Sequence, residues 1–163
     1  MGNILWTPKE FKFSNMFSYG EDNLVRFEKA RGIMGIFAPN ASGKSSLFDA
    51  LSFCIYDKTS RTNSSKNILN NRKENFYCKF SFEVDGILYF IERTAKWTRK
   101  KSNLKVDVNF WKEDAGVIES LNGEQRRETN KNIEKYLGKF EDFVLTTLPL
   151  QGNNALFIDK SQS

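Results

Sequence analysis

The sequence predicts an α/β fold in which a strand, a loop and a helix precede an antiparallel β meander. Apolar side chains recur at helical spacing between residues 47 and 55, which indicates a largely buried helix from Ser45 to about Tyr56-Asp57. Apolar and polar residues then alternate over residues 76–84, which is the two-residue period of a strand. The 163 residues include 15 phenylalanines, a residue type that favours strands, and they suffice for one domain with a hydrophobic core.

The N-terminal part contains three further predicted strands and one long loop. Residues 4–13 and 23–29 lie on either side of the turn Ser-Tyr-Gly-Glu-Asp, and the short apolar run 32–37 is typical of a buried strand. Residues 58–75 are rich in Asn and Ser, so we expect a loop with at most one helical turn around Ile68-Leu69.

The C-terminal part completes the meander and adds helices. The pair Asp85-Gly86 is typical of a tight turn, so the strand 76–84 and a strand over residues 87–93 are expected to form a hairpin. Residues 94–103 connect this hairpin to a third strand over residues 104–110. A mostly polar helix is predicted to end at Gly138, with Ile133, Tyr136 and Leu137 on its buried side. Residues 140–148 indicate a second, short helix.

The composition excludes several function classes. The chain contains no His, which excludes His-based acid–base catalysis and His-ligated metals from it. No run approaches the roughly 20 apolar residues of a membrane span, and the N-terminus lacks the apolar core of a signal peptide. Cys54 and Cys78 lie within apolar patterns and are interpreted as buried free thiols of a cytosolic protein. The net charge of +5 fits a polyanionic partner but does not identify one.

The segment Ala38-Pro39-Asn40-Ala41-Ser42-Gly43-Lys44-Ser45 aligns with the phosphate-binding loop pattern G-x-x-x-x-G-K-[S/T]. It follows a predicted strand and opens a predicted helix, which is the context that this loop requires. Backbone amides of such a loop and the positive end of the helix dipole solvate phosphate oxygens. The Lys44 ammonium can reach the terminal phosphates, and the Ser45 hydroxyl can ligate Mg²⁺. Ala38 and Ala41 depart from the usual loop, and they are compatible with it where their φ angles are negative.

Four stretches in this order resemble SMC-like ATPases of chromosome maintenance and DNA repair. They are FKFSNMFSYGEDNLVRFE, APNASGKSSLFDALSFCIYD, FSFEVDGILYFIERT and the C-terminal ETNKNIEKYLGKFEDFVLTTLPLQGNNALFIDKSQS. The likeness is greatest to the SbcC-type group, including the recombination-exonuclease subunits of large bacteriophages. The resemblance implies a P-loop NTPase fold, that of the N-terminal lobe of an ABC-type ATPase head over residues 1–163, which binds ATP and Mg²⁺.

The resemblance also implies roles for individual residues. Ser45 binds Mg²⁺, Ser46 contacts the α-phosphate, and Gln151 reaches the Mg²⁺ or the water near the γ-phosphate. An exposed loop amide is the alternative interpretation of Gln151. Lys44 and Gln151 are the residues closest to the chemistry. The residues expected to surround the phosphates are Asn40, Ala41, Ser42, Gly43 and Lys44.

The expected partners follow from the same resemblance. They are a C-terminal ATPase lobe with a signature motif and a Walker B strand, a second copy of the head, an SbcD-type nuclease subunit and double-stranded DNA. We find no segment of this sequence that resembles the signature motif or Walker B, so the chain is expected to be a fragment or the first half of a split protein that ends near a coiled coil. A cytoplasmic or nucleoid-associated location is expected, or the host cytoplasm for a phage protein. The alternatives are a small P-loop kinase and a nucleic-acid-binding module with a vestigial loop.

Two segments are rich in cations. Residues 58–73 form the first, and residues 93–105 form the second, in which Trp97 lies among the charges. Clustered cations release counterions from a phosphate backbone and so give salt-sensitive DNA affinity, although charged loops are usually just solvated. Arg61 and Arg93 have structural or nucleotide-side roles as an alternative, because both lie at element ends near the sheet. The residues predicted to contact DNA are Lys96, Arg99, Lys100 and Lys101.

Overall fold

The computed structural model describes residues 5–27, 44–59, 62, 64–100 and 102–142, and every structural statement below concerns these residues. The elements, in chain order, are β1 (Thr7–Ser14), β2 (Asn23–Arg26), α1 (Lys44–Tyr56), a 3₁₀ turn (Ser65–Asn67), β3 (Asn75–Val84), β4 (Ile87–Trp97), β5 (Leu104–Asp114), β6 (Val117–Ser120) and α2 (Arg126–Leu137).

The six strands form one antiparallel sheet in the order β2-β1-β3-β4-β5-β6. The predicted hairpin is present: Val84 pairs with Ile87 across a two-residue turn. Asp85 and Gly86 both have positive φ angles, 50° and 81°, which is the conformation that a tight hairpin turn requires. The α/β class and the antiparallel meander predicted from the sequence are therefore confirmed.

Both helices pack against the same face of this sheet. The alternating side chains of β3 that include Phe76, Cys78 and Phe80 are at most 2% exposed. From α1, Phe53 meets Phe76 edge-on at 5.5 Å between ring centroids. From α2, Tyr136 lies 4.8 Å from Tyr89 of β4. The period-two alternation of the strands thus produces the apolar face on which the two helices are held.

The opposite face of the sheet carries a smaller aromatic group. Phe90 of β4 and Trp111 of β5 are register partners, and their rings stack at 5.3 Å. The Lys79 ammonium lies 5.1 Å and 5.2 Å from the two ring centroids, a cation–π arrangement. These side chains are half-buried rather than part of the main core.

Helix α2 has the predicted form. Ile133 and Leu137 are buried, Tyr136 is half-buried, and Gly138 ends the helix with φ 80° and an N–H bond to the Glu134 carbonyl. At the other end, the Glu128 carboxylate accepts a hydrogen bond from the Glu124 amide at 2.9 Å. This bond satisfies one of the amides ahead of the helix and fixes where the chain enters it.

Several strands differ from their predicted bounds. β4 continues to Trp97, because Thr94–Trp97 pair with β5, so residues 94–97 are not part of the connection. β5 also runs four residues further, to Asp114, and pairs there with β6, a strand that the sequence did not predict. The connecting turn is Ala115-Gly116, with φ 47° at Ala115. Alanine seldom adopts a positive φ, so this turn has no strong sequence signature.

The remaining predictions are placed or lie outside the described residues. The strand expected at 32–37 lies outside them. The short turn expected near Ile68-Leu69 is a 3₁₀ turn over Ser65–Asn67. Residues 140–142 are helical, and the rest of the helix expected over 140–148 lies outside the described residues. Cys54 and Cys78 are buried free thiols, as expected. Among the helices of the described part, none is long and apolar enough to cross a membrane.

Candidate functional site

Helix α1 supplies the N-terminus at which the sequence motif places phosphates. The helix is described from Lys44 onward, and the first-turn amides of a helix have no partner within the helix itself. Ser46, the third residue, is half-buried. The side chains of Lys44 and Ser45 lie outside the described part of the chain. So do the predicted site residues Asn40, Ala41, Ser42, Gly43 and Gln151.

The body of α1 is held on the sheet by apolar contacts. Ala50 and Cys54 have no exposed surface, and Phe53 and Ile55 have about 1%. The Cys54 thiol also lies 3.8 Å from the Ile91 carbonyl of β4. Burial raises the pKa of this thiol well above its ordinary value, so Cys54 is neutral and behaves as a small apolar side chain.

Arg93 of β4 holds the C-terminal end of α1. Its Nε donates to the Cys54 carbonyl at 2.7 Å, and its Nη2 donates to the Ile55 carbonyl at 2.9 Å. The last carbonyls of a helix have no partner within the helix, so the guanidinium takes the place of the missing donors. Arg93 has no exposed surface, and its burial lowers its pKa, while the nearby Asp57 carboxylate opposes that shift. Of the roles expected for Arg93, these contacts support the structural one.

The same end of α1 is also tied to α2. Asp57 follows the helix in a left-handed conformation, with φ 63°. Its carboxylate accepts hydrogen bonds from two guanidinium nitrogens of Arg126 and, at 3.1 Å, from the Asn130 amide. The Tyr56 hydroxyl donates to the Leu137 carbonyl at 3.2 Å. Arg93 thus anchors the C-terminal end of α1 to the sheet, and Tyr56 and Asp57 anchor it to α2.

The donor set of the candidate site suits Mg²⁺. Within the described residues, no cluster of three or more His, Cys, Asp or Glu side chains is placed to hold a metal. Mg²⁺ bound with a nucleotide does not need such a cluster, because phosphate oxygens and water supply most of its ligands. The hydroxyl of Ser45 and the amide oxygen of Gln151 are hard oxygen donors of the type that Mg²⁺ prefers.

The second basic segment forms the end of the β4–β5 hairpin. Lys96 lies on β4, and Arg99 and Lys100 lie in the turn that follows; all three are exposed, and Lys101 lies outside the described residues. The turn is closed by a hydrogen bond from the Thr98 amide to the Asn103 carbonyl at 2.9 Å. The hairpin therefore presents exposed cations at its tip.

The two basic segments meet at this hairpin. Lys66, from the first segment, donates to the Ser102 carbonyl at 3.0 Å, and its ammonium lies 5.8 Å from the Trp97 ring centroid. Two other cations of the first segment point elsewhere: Lys58 pairs with Glu141 at 3.3 Å, and Lys73 pairs with Glu21 at 2.7 Å. Among the described residues, the hairpin end therefore offers more unpaired positive charge than the first segment does.

Sequence reasoning missed the two contacts that fix α1. Arg93 falls in the buried parity of β4, with Tyr89 and Ile91, so the strand period alone marks it as an inward-facing cation. The Asp57–Arg126 pair joins residues 69 positions apart, and no local pattern identifies it.

Comparison with known proteins agrees with this architecture. A profile described as an AAA domain matches residues 10–163, which is nearly the whole chain. The solved structure of the recombination mediator protein RecF with ATP superposes with a TM-score of 0.56 over 79% of this chain and 31% of RecF. At 20% identity that likeness supports the fold.

Two relatives are proteins of DNA repair and processing. The DNA double-strand break repair Rad50 ATPase of Methanocaldococcus jannaschii is 36% identical over 156 residues, which are 95% of this chain. The SbcC subunit of the nuclease SbcCD of Bacillus subtilis is 29% identical over 160 residues, which are 93% of this chain. The chain spans 14% of the length of each of these relatives. The resemblance to SbcC-type ATPases seen in the sequence is thereby confirmed. The chain belongs to the AAA domain family, within the SbcC/Rad50 group.

Proposed function

We propose that this chain is the ATP·Mg²⁺-binding N-terminal lobe of an SbcC/Rad50-type head that acts in DNA break repair with a nuclease subunit. The observation that carries the proposal is the start of α1 at Lys44 within Gly43-Lys44-Ser45. In the sequence, this position combines the start of a helix with a cationic and a hydroxyl residue, which is what a bound triphosphate and its metal need.

Each residue of the site has a defined task. Backbone amides at the start of α1 and in the loop 38–43 solvate the phosphate oxygens. The Lys44 ammonium neutralises charge on the terminal phosphates, and the Ser46 hydroxyl binds the α-phosphate. Ser45 and Gln151 would hold the Mg²⁺, which supplies charge neutralisation between two phosphates when it is bound.

The finer part of the proposal concerns assembly. Two heads sandwich ATP, each phosphate loop faces the signature motif of the other head, and hydrolysis separates them. This cycle controls the access of DNA to an SbcD-type nuclease. The support is that one relative is named as part of a nuclease and another as a double-strand break repair ATPase. No segment of the 163 residues resembles a Walker B strand, so this chain alone should bind ATP with negligible hydrolysis.

Nucleotide binding is tested by titrating the 163-residue chain with a fluorescent ATP analogue, with and without Mg²⁺. Lys44→Ala should weaken binding tenfold or more, because a charge-assisted hydrogen bond contributes about 1.5–3 kcal/mol and about 1.4 kcal/mol is a tenfold change. Ser45→Ala should reduce the gain in affinity that Mg²⁺ gives. Lys131→Ala, which removes an exposed cation from α2, is the control and should bind as the wild type does.

Two outcomes decide against the proposal. If the wild type binds no nucleotide, the phosphate loop is vestigial and the chain is a nucleic-acid-binding module. If the isolated chain hydrolyses ATP rapidly, it contains a complete catalytic site, and the half-site interpretation is wrong.

DNA contact through the β4–β5 hairpin is a second proposed activity. The observation that favours it is the gathering of Lys66, Lys96 and Lys105 at one end of the hairpin, where Lys66 lies beside Trp97. Cations grouped in this way suit a phosphate backbone without reading its sequence.

A further inference from the structure

Arg93 is fully buried, yet the polar partners described for it satisfy only part of its hydrogen-bonding capacity. A guanidinium has five N–H donors. Nε and Nη2 are satisfied by the Cys54 and Ile55 carbonyls, whereas Nη1 is buried and has no acceptor within the described residues. Burying a cation with an unsatisfied donor is costly, and apolar side chains of similar volume are often neutral or better for stability. Stability alone is therefore a poor explanation for this arginine.

The geometry of its contacts suggests another explanation. The two nitrogens belong to one rigid planar fork, and they bind the carbonyls of two consecutive residues at 2.7 Å and 2.9 Å. Consecutive residues of a helix are separated by about 100° around its axis and by about 1.5 Å along it. A fork that holds both carbonyls fixes the rotation of α1, its axial position and its distance from β4 at once.

The surrounding contacts do not specify the same quantities. The packing of Phe53 on Phe76 is apolar and non-directional, and the Cys54 thiol contact is long at 3.8 Å. The Tyr56 hydroxyl and the Asp57 carboxylate form their described hydrogen bonds with residues of α2. Of these contacts, the Arg93 fork is the short, directional one between α1 and the sheet.

The opposite end of the same helix is the candidate phosphate site. α1 has 13 residues and is about 20 Å long, and a helix of this length transmits a rotation or shift from one end to the other as a rigid body. Displacements of about 1 Å at a binding or catalytic group have large functional effects. The placement of Lys44 relative to the sheet thus depends on what fixes the helix at Cys54 and Ile55.

We propose that Arg93 is a positioning residue for the phosphate site. Its guanidinium sets the distance and rotation of α1 relative to the sheet, and thereby the placement of the helix N-terminus that receives the nucleotide. The expected effect of Arg93 on ATP affinity rests on the proposed function. Its expected effect on the position of α1 does not.

The test compares two substitutions at this position with a control elsewhere in the core. Arg93→Met has a similar length and no donors, and Arg93→Lys keeps the charge but cannot bind two carbonyls as a planar fork. Val106→Ala on β5 is the control, because Val106 is also buried and its truncation leaves a cavity without removing a hydrogen bond to α1. The affinity for ATP with Mg²⁺ and the melting temperature are measured for all three variants.

A positioning role predicts that Arg93→Met binds ATP about tenfold more weakly than the wild type does. Arg93→Lys should bind ATP about threefold more tightly than Arg93→Met does. Val106→Ala should bind ATP within about twofold of the wild type, even where its melting temperature falls as far as that of the Arg93 variants. Binding by Arg93→Met within about twofold of the wild type overturns the proposal, and so does an equal loss in Val106→Ala. If Arg93→Met does not fold, Arg93→Lys decides alone: a loss of about threefold supports the proposal, and unchanged affinity overturns it.

Hydrogen exchange separates this inference from the proposed function. Amides of residues 46–50, near the start of α1, should exchange several-fold faster in the Arg93 variants than in Val106→Ala. If the wild type binds no ATP but this difference is present, the proposed function fails and the positioning of α1 by Arg93 stands. If exchange near the start of α1 is the same in all variants, Arg93 does not position the helix.

Discussion

Lys96 of β4 and Lys105 of β5 are directly opposite each other in the sheet, and both side chains are exposed. Like charges in this relationship destabilise a strand pair. Lys105 has an ion pair with Asp107 at 3.3 Å, whereas none is described for Lys96 within residues 5–27, 44–59, 64–100 and 102–142. An arrangement that costs stability in the free protein becomes favourable when a polyanion lies across both lysines.

Replacing Lys96 should therefore have opposite effects on stability and on DNA binding. We expect Lys96→Gln to leave the free energy of unfolding unchanged or raise it by a few tenths of a kcal/mol, because the repulsion is removed. Duplex affinity should fall, and the slope of log K against log salt should decrease in magnitude by about 1, because one phosphate contact is lost. Chemical denaturation and a salt series of fluorescence anisotropy titrations measure the two effects.

The matched control is Lys131→Gln, which removes one exposed positive charge from α2, away from the hairpin. It changes the net charge equally, so it reports any effect of overall charge on DNA affinity. If both variants lose the same affinity and salt slope, the attraction is diffuse, and the hairpin is not the contact surface.

The Asp57–Arg126 pair should contribute to stability more than the exposed ion pairs do. The Asp57 side chain is 12% exposed and holds Arg126 and Asn130 together. Asp57→Asn retains the size and tolerates the left-handed backbone but loses the charge-assisted bonds. We expect a loss of about 1–3 kcal/mol in the free energy of unfolding. Glu119→Gln, which removes the charge of the exposed partner in the Lys112–Glu119 pair, should produce no measurable change.

Tyr56 predicts a loss of stability at alkaline pH. Burial, then the carboxylates of Glu134, Asp142 and Glu141, raise the pKa of this phenol above its ordinary value of 10.0. Because the folded-state pKa is the higher one, the stabilisation is complete below the unfolded pKa and is lost as pH rises above about 10. Tyr56→Phe should be less stable at pH 7, because its hydrogen bond to the Leu137 carbonyl is gone.

The measurement is the free energy of unfolding from about pH 7 to about pH 11, which spans the ordinary phenol pKa. Tyr56→Phe should show a shallower decline than the wild type over the alkaline part. Tyr77, whose pKa is also raised, first by burial and then by Glu92, gives a residual slope in both proteins. Parallel curves for the two proteins would mean that Tyr56 ionises as easily in the folded state as in the unfolded one.

The parts of the fold that depend on residues close together in the sequence could be predicted from it. The hairpin at Asp85-Gly86 depends on a two-residue turn and on alternation, and both are visible in the sequence. α2 depends on helical spacing and on Gly138 at its end. β6 was missed because its turn uses Ala115 at a positive φ, where the identity of the residue gives no signal.

The parts of the candidate site that depend on distant pairing could not be predicted. The phosphate loop was identified because its residues are contiguous. By contrast, the opposition of Lys96 and Lys105 follows from the strand register, which alternation alone does not assign. The hydrogen bonds from Arg93 to the Cys54 and Ile55 carbonyls join residues 39 and 38 positions apart, and only the tertiary structure reveals them.

Gly123 provides a test of the packing at the start of α2. A Cβ at this position would lie 2.3 Å from the Glu128 Cβ and 3.0 Å from the backbone of residues 128 and 129. Atoms of this kind cannot move without shifting the first turn of the helix. The same turn is held by the hydrogen bond from the Gly123 amide to the Thr129 hydroxyl at 3.0 Å.

We therefore expect Gly123→Ala to lower the free energy of unfolding by about 1–3 kcal/mol. Gly20→Ala is the matched control, because a Cβ there meets nothing within 4 Å, and it should be neutral within about 0.5 kcal/mol. Thermal denaturation of the two variants measures the difference. Equal melting temperatures would mean that the chain entering α2 has a second arrangement of similar energy, with room for the methyl group.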